Sequence, residues 1–298
     1  MMFQQDMFES EAARSLLDQL LDDSRLYHSS AAYLELLDFV VKLRNFAPFN
    51  AMLLQIQKPG LSYAASALDW RERFKRYPKR DARPLLILWP FAPVALVYDV
   101  QDTEGDPLPV DVSFFQASGE ITQERIQRFL LLMRRKGIKH HYFDGGYNSA
   151  GSIAMTQKPP AKKDKKDKKD NNKKAAKPSE YLMRLNQNHS PNVQFSTLAH
   201  ELGHLFVGHL GPDERLGIPE RPHMTHSQEE LEAESFAYLA CCRNGVECKS
   251  QIYLADYVSN HTNVDNPDIY LIVRAVGQLE TLLELTSHTR YELPKSKR

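Results

Sequence analysis

Thr197-Leu198-Ala199-His200-Glu201-Leu202-Gly203-His204 is the stretch whose reading decides the fold. Ser190-Pro191 ahead of it reads as a helix start, with serine as the cap and proline in the first turn, and Gly211 reads as the stop. Inside that helix His200 and His204 stand one turn apart on one face, the spacing at which two imidazoles converge on one tetrahedral metal ion. Glu201 is one position further round and reaches the open coordination position without being a ligand. From this composition chance yields His-Glu-x-x-His on the order of 0.03 times per chain. Gly203 adds weight, because glycine inside a helix costs about 1 kcal/mol relative to alanine and marks a close approach or a site requirement.

A second helical pattern begins near Thr225 and runs through Glu229-Glu230-Leu231-Glu232-Ala233-Glu234-Ser235-Phe236-Ala237-Tyr238-Leu239-Ala240 to a stop at Gly245. Ala233, Phe236 and Ala240 mark its buried stripe. Glu230 and Glu234 share one face and Glu232 projects roughly opposite. One of the pair is expected to be the third ligand while the other accepts the N–H of a ligand histidine and so holds its tautomer. We take Glu230 as the ligand and Glu234 as the orienter, with the reverse assignment open. Glu230 has a competing role as partner of Ser227 in a capping box; a cap at Thr225 closed by Gln228 frees it. The site is expected to hold one Zn²⁺ per chain, with Mn²⁺ or another divalent ion as alternatives. A zinc-bound water activated by Glu201 would then attack a carbonyl carbon. His223, His226 and Tyr253 are unranked candidates for the oxyanion donor.

Thr197 to His204, followed by Glu230-x-x-Ala233-Glu234-x-Phe236-Ala237, resembles the ImmA/IrrE-type metallopeptidases over residues 120–260. The resemblance implies a gluzincin, with two histidines and a glutamate on zinc, and makes the first Glu of Glu-x-x-Ala the ligand, which is Glu230. The N-terminal region resembles the single-stranded-DNA-binding domain of ArdC-type antirestriction proteins. That likeness rests on Pro48-Phe49-Asn50-Ala51-Met52-Leu53-Leu54-Gln55-Ile56-Gln57-Lys58-Pro59-Gly60, on Trp70, and on Arg83-Pro84-Leu85-Leu86-Ile87-Leu88 continuing to Tyr98-Asp99-Val100. Between them, cations alternate with aromatic rings, the combination a single-strand binder uses for phosphates and unstacked bases. Trp70, Arg71, Arg73, Lys75 and Arg76 are the expected contacts.

The rest of the chain sets the frame. Its 298 residues are enough for two domains, and 38 basic against 38 acidic residues give no global pull toward nucleic acid or membrane. We expect an α+β protein, with an N-terminal α+β domain over residues 1–118 and a mainly helical zincin-type domain with a small sheet over 119–298. Helices are predicted at Ser10–Leu21, Ala31–Asn45, Phe49–Gln57 and Thr122–Lys136, and paired strands at Leu85–Trp89 and Val94–Tyr98. A further strand is predicted at Lys139–Phe143, and a long hairpin at Gly151–Met155 and Tyr181–Leu185. The hairpin's tip, Lys158–Pro178, holds ten lysines against three aspartates, a local charge of plus seven, and is expected to be disordered. Cys241, Cys242 and Cys248 are too few for a secreted disulfide framework and read as packed thiols. With no secretory signal and no apolar run long enough to span a membrane, a cytoplasmic protein is expected. The expected activity is hydrolysis of peptide bonds in a regulatory or DNA-associated protein. The alternative is a DNA-binding antirestriction-type protein whose metal is structural.

Overall fold

Period-3.6 and period-2 patterns alternate along the chain, and those that fall on the described residues resolve into the elements they predict. The structure, a computed structural model, describes residues 29–43, 46–61, 63–89, 92–107, 121–146, 149–157, 180–260 and 267–285. The helix expected at Ser10–Leu21, the boundary expected near residue 118 and the lysine-rich stretch lie outside these residues.

The N-terminal part holds helices α1 (Ser30–Lys42) and α2 (Pro48–Gln57), strand β1 (Ala64–Ala65) and the short helix α3 (Ala67–Phe74). Strands β2 (Arg76–Pro78), β3 (Leu85–Trp89), β4 (Ala92–Asp99) and β5 (Thr103–Gly105) follow. β4 pairs antiparallel with both β3 and β1, so β3 is an edge strand. Exposed edges are templates for unwanted pairing, and here two carboxamides from α2 block this one. Asn50 accepts from the N–H of Leu88 at 2.9 Å and donates to its carbonyl at 3.1 Å. Gln57, two turns on, does the same for Leu86 at 2.8 Å in both directions. Both amides lie in the stretch that carries the antirestriction resemblance, and this structural task accounts for them without a nucleic acid.

The second part begins with α4 (Gln123–Arg135), capped by Thr122, and β6 (Ile138–Phe143), then β7 (Gly151–Gln157) and β8 (Glu180–Asn186). β8 is central, parallel to β6 and antiparallel to β7 with Ile153 opposite Met183. The predicted strands therefore pair antiparallel, and among the described residues β7 is the edge strand of this sheet. Helices α5 (Pro191–Val207), α6 (His226–Arg243), α7 (Lys249–Asn260) and α8 (Ile269–Leu282) complete the described chain. The architecture is α+β, rich in helix with small sheets, as the pattern requires. No described helix is long and apolar enough to cross a membrane.

Two helix ends matter for the site: one differs from expectation and the other decides between the two caps weighed for α6. α5 stops at Val207, four residues before Gly211. Gly208 takes the left-handed conformation at φ 98°, and its N–H bonds Leu205 O while that of His209 bonds His204 O at 2.9 Å. This paired-bond ending needs a residue at positive φ, which glycine supplies at no steric cost. α6 starts at the cap Thr225, and Gln228 closes the capping box, so Glu230 is not drawn into capping.

One continuous buried apolar cluster runs from Tyr33 and Leu36 on α1 through Met52 on α2 and Phe195 on α5 to Phe236 on α6 and Ile272 on α8. At its centre Arg243 of α6 is fully buried against Glu280 of α8 at 2.7 Å. Its remaining guanidinium N–H groups reach Val40 O at 2.7 Å and Phe46 O at 3.0 Å. Cys241 is buried, and Cys242 and Cys248 pack against the same cluster, in line with packed thiols.

Candidate metal centre

α5 and α6 cross where α5 has no side chain. A Cβ on Gly203 would stand 3.2 Å from Cδ1 of Phe236 and 3.3 Å from both Cα and O of Ala233. The glycine thus sets the distance at which the carboxylates of α6 meet the histidines of α5. Gly203→Val is expected to force the helices apart, destabilising the fold by about 1–3 kcal/mol in urea unfolding and weakening metal uptake in the same protein.

At that crossing three donor atoms converge. Nε2 of His200 and Nε2 of His204 lie 3.2 Å apart. Glu230 places Oε1 3.4 Å from His204 Nε2 and Oε2 3.6 Å from His200 Nε2. Metal–ligand distances near 2.0–2.1 Å in a tetrahedron require ligand separations of about 3.3–3.4 Å, so the three atoms already outline one face of a coordination shell. Among the described residues these three are the set of His, Cys, Asp or Glu whose donor atoms all lie within 4.8 Å of one another.

The two histidines stand in opposite electrostatic settings. Burial, reinforced by the neighbouring His200, His209 and His226, pushes the pKa of His204 down to about 3, so its ring is neutral and offers a lone pair. For His200 burial acts in the same direction, but the hydrogen bond to Glu234 and the charges of Glu234, Glu201 and Glu230 outweigh it and hold the pKa above the ordinary value. Glu234 Oε1 stands 3.4 Å from His200 Nδ1, on the side of the ring away from Glu230. Glu230 thus faces Nε2 of both rings, while Glu234 meets only Nδ1 of His200.

Glu201 leaves the histidine face and turns toward β7, where Oε2 accepts the N–H of Ile153 at 3.0 Å. That N–H belongs to the free edge of the strand, and by the alternation of an antiparallel ladder Gly151 and Met155 turn their backbone groups the same way. β7 approaches α5 closely because residue 151 is glycine: a Cβ there would meet Arg184 O at 2.5 Å and Thr197 Cγ2 at 2.6 Å. Burial raises the Glu201 pKa and the charge of Glu230 adds to it, against the opposing pull of His200 and the Ile153 N–H. A carboxylate held this way is a ready proton acceptor beside the three donors.

Residues 153–241 match the family model of the IrrE N-terminal-like domain, Peptidase M78. No curated protein and no solved structure matches the chain. The IrrE-like segment opens in β7 and closes in α6, so it contains every residue placed at the centre above. It is shorter than the expected 120–260 and does not reach the N-terminal part. A metallopeptidase-type domain is thereby present in the chain, with a donor triad suited to a metal.

Two residues of the IrrE-like segment were not foreseen in its sequence. His209, just past the end of α5, places Nδ1 2.9 Å from Nδ1 of His204 and Nε2 3.0 Å from Oε2 of Glu232. Glu232 faces away from Glu230, as its helical position requires, yet that side is covered rather than solvated. Arg221 binds both its oxygens at 2.9 and 3.1 Å, and the N–H of Asp268 donates to Oε1 at 2.8 Å. The only signal in the sequence is the spacing of His209 five residues beyond His204, which a continuing helix would have turned to a different face.

The nucleic-acid contacts expected outside the IrrE-like segment are only partly available. Trp70 is corrected from a base-stacking ring to a core residue: its indole is fully buried, donates from Nε1 to Tyr98 O at 2.9 Å, and packs against Tyr63 and Phe74. Arg76 is likewise occupied, binding Thr103 Oγ1 at 2.9 Å and Thr103 O at 2.8 Å to tie β2 to β5. Arg71, Arg73 and Lys75 are exposed; Arg71 pairs with Glu72 and Arg73 covers the ring of Phe74.

Proposed function

We propose that the chain is a zinc metallopeptidase in which His200, His204 and Glu230 hold the ion and Glu201 moves the proton. The observation that carries this reading is the convergence of three donor atoms at 3.2–3.6 Å beside a carboxylate anchored to a free strand edge. When bound, zinc supplies Lewis acidity, polarising a carbonyl and making water nucleophilic near neutral pH.

This chain's own residues do the rest. An extended peptide laid along β7 pairs with the outward backbone groups of Gly151 and Met155 and with the carbonyl of Ile153, whose N–H is held by Glu201, and so brings its scissile carbonyl over the ligand face. Glu201 takes a proton from the attacking water and returns it to the departing amine nitrogen. Raised above the ordinary carboxylate range, it holds that proton better than a solvated glutamate. Glu234 keeps the His200 ring turned so that Nε2 faces the ion. Of the three candidate oxyanion donors, two border Glu230. His226 lies 3.7 Å from its Oε1, and Tyr253 keeps its proton because burial and the charges of Glu234 and Glu230 raise its pKa.

The test is zinc analysis of purified full-length protein and of two variants. One zinc per chain is expected in the wild type, near-complete loss in Glu230→Ala, and in Glu234→Ala a retained stoichiometry with affinity lowered about 10–100-fold. Full zinc occupancy in Glu230→Ala at the wild-type affinity would remove the ligand assignment and the reading with it.

A further inference from the structure

At the far end of α6, about 18 Å along the helix from Glu230 at 1.5 Å per residue, three free thiols meet: Cys241, Cys242 and Cys248. The way α6 ends brings them together. Gly245 takes a left-handed φ of 74°, its N–H bonds Cys242 O at 3.1 Å, and the N–H of Val246 bonds Cys241 O at 3.0 Å. Val246 is 2% exposed and anchors the turn. The chain is thereby folded back, and Cys248 lies against the helix end it has just left.

Both neighbours bond the same sulfur. For Cys241 and for Cys242 the hydrogen bond to Cys248 is the largest of the effects that raise the thiol pKa, ahead of burial, so each keeps its hydrogen and Cys248 accepts. At Cys242 the charges of Asp38 and Glu247 act in the same direction, while at Cys241 a hydrogen bond from Ser196 opposes. Cys248 also stands immediately before Lys249, the first residue of α7, and the N-terminal end of a helix favours negative charge on sulfur. Exposure separates the two donors. Cys241 is fully buried, whereas Cys242 and Cys248 are half-buried, so a small oxidant and a departing water reach that pair.

We propose that Cys248 and Cys242 are a peroxide-sensitive pair that closes into a reversible disulfide joining the end of α6 to the start of α7. Cys248 gives its proton to solvent and its sulfur attacks one oxygen of hydrogen peroxide, breaking the O–O bond. The hydroxide that leaves takes up a proton as water, and Cys248 is left as a sulfenic acid. The Cys242 sulfur then attacks the Cys248 sulfur: the S–S bond forms, the S–O bond breaks, and the hydroxyl leaves with the Cys242 hydrogen as a second water. Two thiols are oxidised and one peroxide is reduced.

The test treats reduced full-length protein with hydrogen peroxide, blocks the remaining thiols by alkylation and maps the peptides by mass. The expected result is loss of two of the three thiols, a Cys242–Cys248 link within one chain, and recovery of all three on adding dithiothreitol. Cys241→Ser is expected to form the same link. Cys242→Ser is expected to hold Cys248 as the sulfenic acid, trapped as its dimedone adduct, and Cys248→Ser to keep both remaining thiols under the same exposure. Three intact thiols in the treated wild type overturn the proposal, as does a link between two chains or from Cys248 to Cys241. Absence of the dimedone adduct on Cys248 in Cys242→Ser, or thiol loss in Cys248→Ser at the wild-type rate, overturns Cys248 as the sulfur that reacts first.

Discussion

Glu201→Gln is expected to keep zinc at the wild-type stoichiometry and to lower peptide cleavage by about 10²–10⁴-fold, the range supplied by a positioned general base. Glutamine can still accept the Ile153 N–H through its amide oxygen, so β7 and α5 keep their spacing. The three ligand atoms are untouched. What disappears is the capacity to take a proton from water and to return it to the leaving amine. Single-turnover cleavage of a mixed peptide library by the zinc-loaded full chain measures it, with zinc analysis alongside. Cleavage by the variant at the wild-type rate would exclude Glu201 from the chemistry. A metal that only holds the fold predicts no cleavage by either protein and undiminished zinc in both.

The largest effect on stability is expected at Arg243. Its guanidinium ties α6 to α8 through Glu280, to α1 through Val40 O and to the segment after α1 through Phe46 O, all at zero exposure. Arg243→Met takes the cation from the buried Glu280 carboxylate and removes the guanidinium bonds to two carbonyls. Removing one partner of a buried pair costs about 3–5 kcal/mol, and urea unfolding of the full chain reads that loss directly. Adding Glu280→Leu removes the stranded charge and is expected to restore part of the stability. The guanidinium bonds to the carbonyls of Val40 and Phe46 are not replaced, so recovery stops short of the wild type. No recovery in the double variant would show that the ion pair is not what holds α8 to α6. Because Glu230 and Glu232 ride on α6, and Glu232 is also held by the start of α8, this core pair bears on the geometry of the metal centre.

Much of the fold was legible because local signals agreed with it. Thr122 and Thr225 cap with their side chains the helices they were expected to begin, and Ser190 holds the cap position of α5 ahead of Pro191 without a side-chain bond. The runs Leu85–Trp89 and Val94–Tyr98 pair antiparallel, and Gly151–Met155 meets Tyr181–Leu185 across β7 and β8. In each case the deciding information lies within a few residues: a capping side chain, an apolar period, a turn between two strands. The same holds for the ligand face, since His200 with His204 and Glu230 with Glu234 are set by helical spacing alone. The capping ambiguity at Ser227 was also local, but resolving it took the observed bond between Thr225 and Gln228.

Other positions misled because their environment comes from far along the chain. Trp70 sits in a run of cations that resembles a binding surface, yet a carbonyl 28 residues away receives its N–H and two neighbouring rings enclose it. Asn50 and Gln57 looked like part of a recognition motif until β3 was seen beside them. Glu232 was correctly turned away from the ligand pair, but only Arg221 and the start of α8 show that this direction leads into protein.

For the His-Glu-x-x-His helix, the sequence by itself determined that two histidines and a glutamate share one helix at metal-binding spacing, and that Glu230 and Glu234 share one face of a second. Helical periodicity is enough for that. Tertiary structure alone decided how close the two helices come, that Glu201 meets the edge of β7, and that His209 and Glu232 stand behind His204. Those relations depend on the missing side chain at Gly203, the left-handed turn at Gly208 and the packing of α8, and no periodicity along one helix encodes the distance to another.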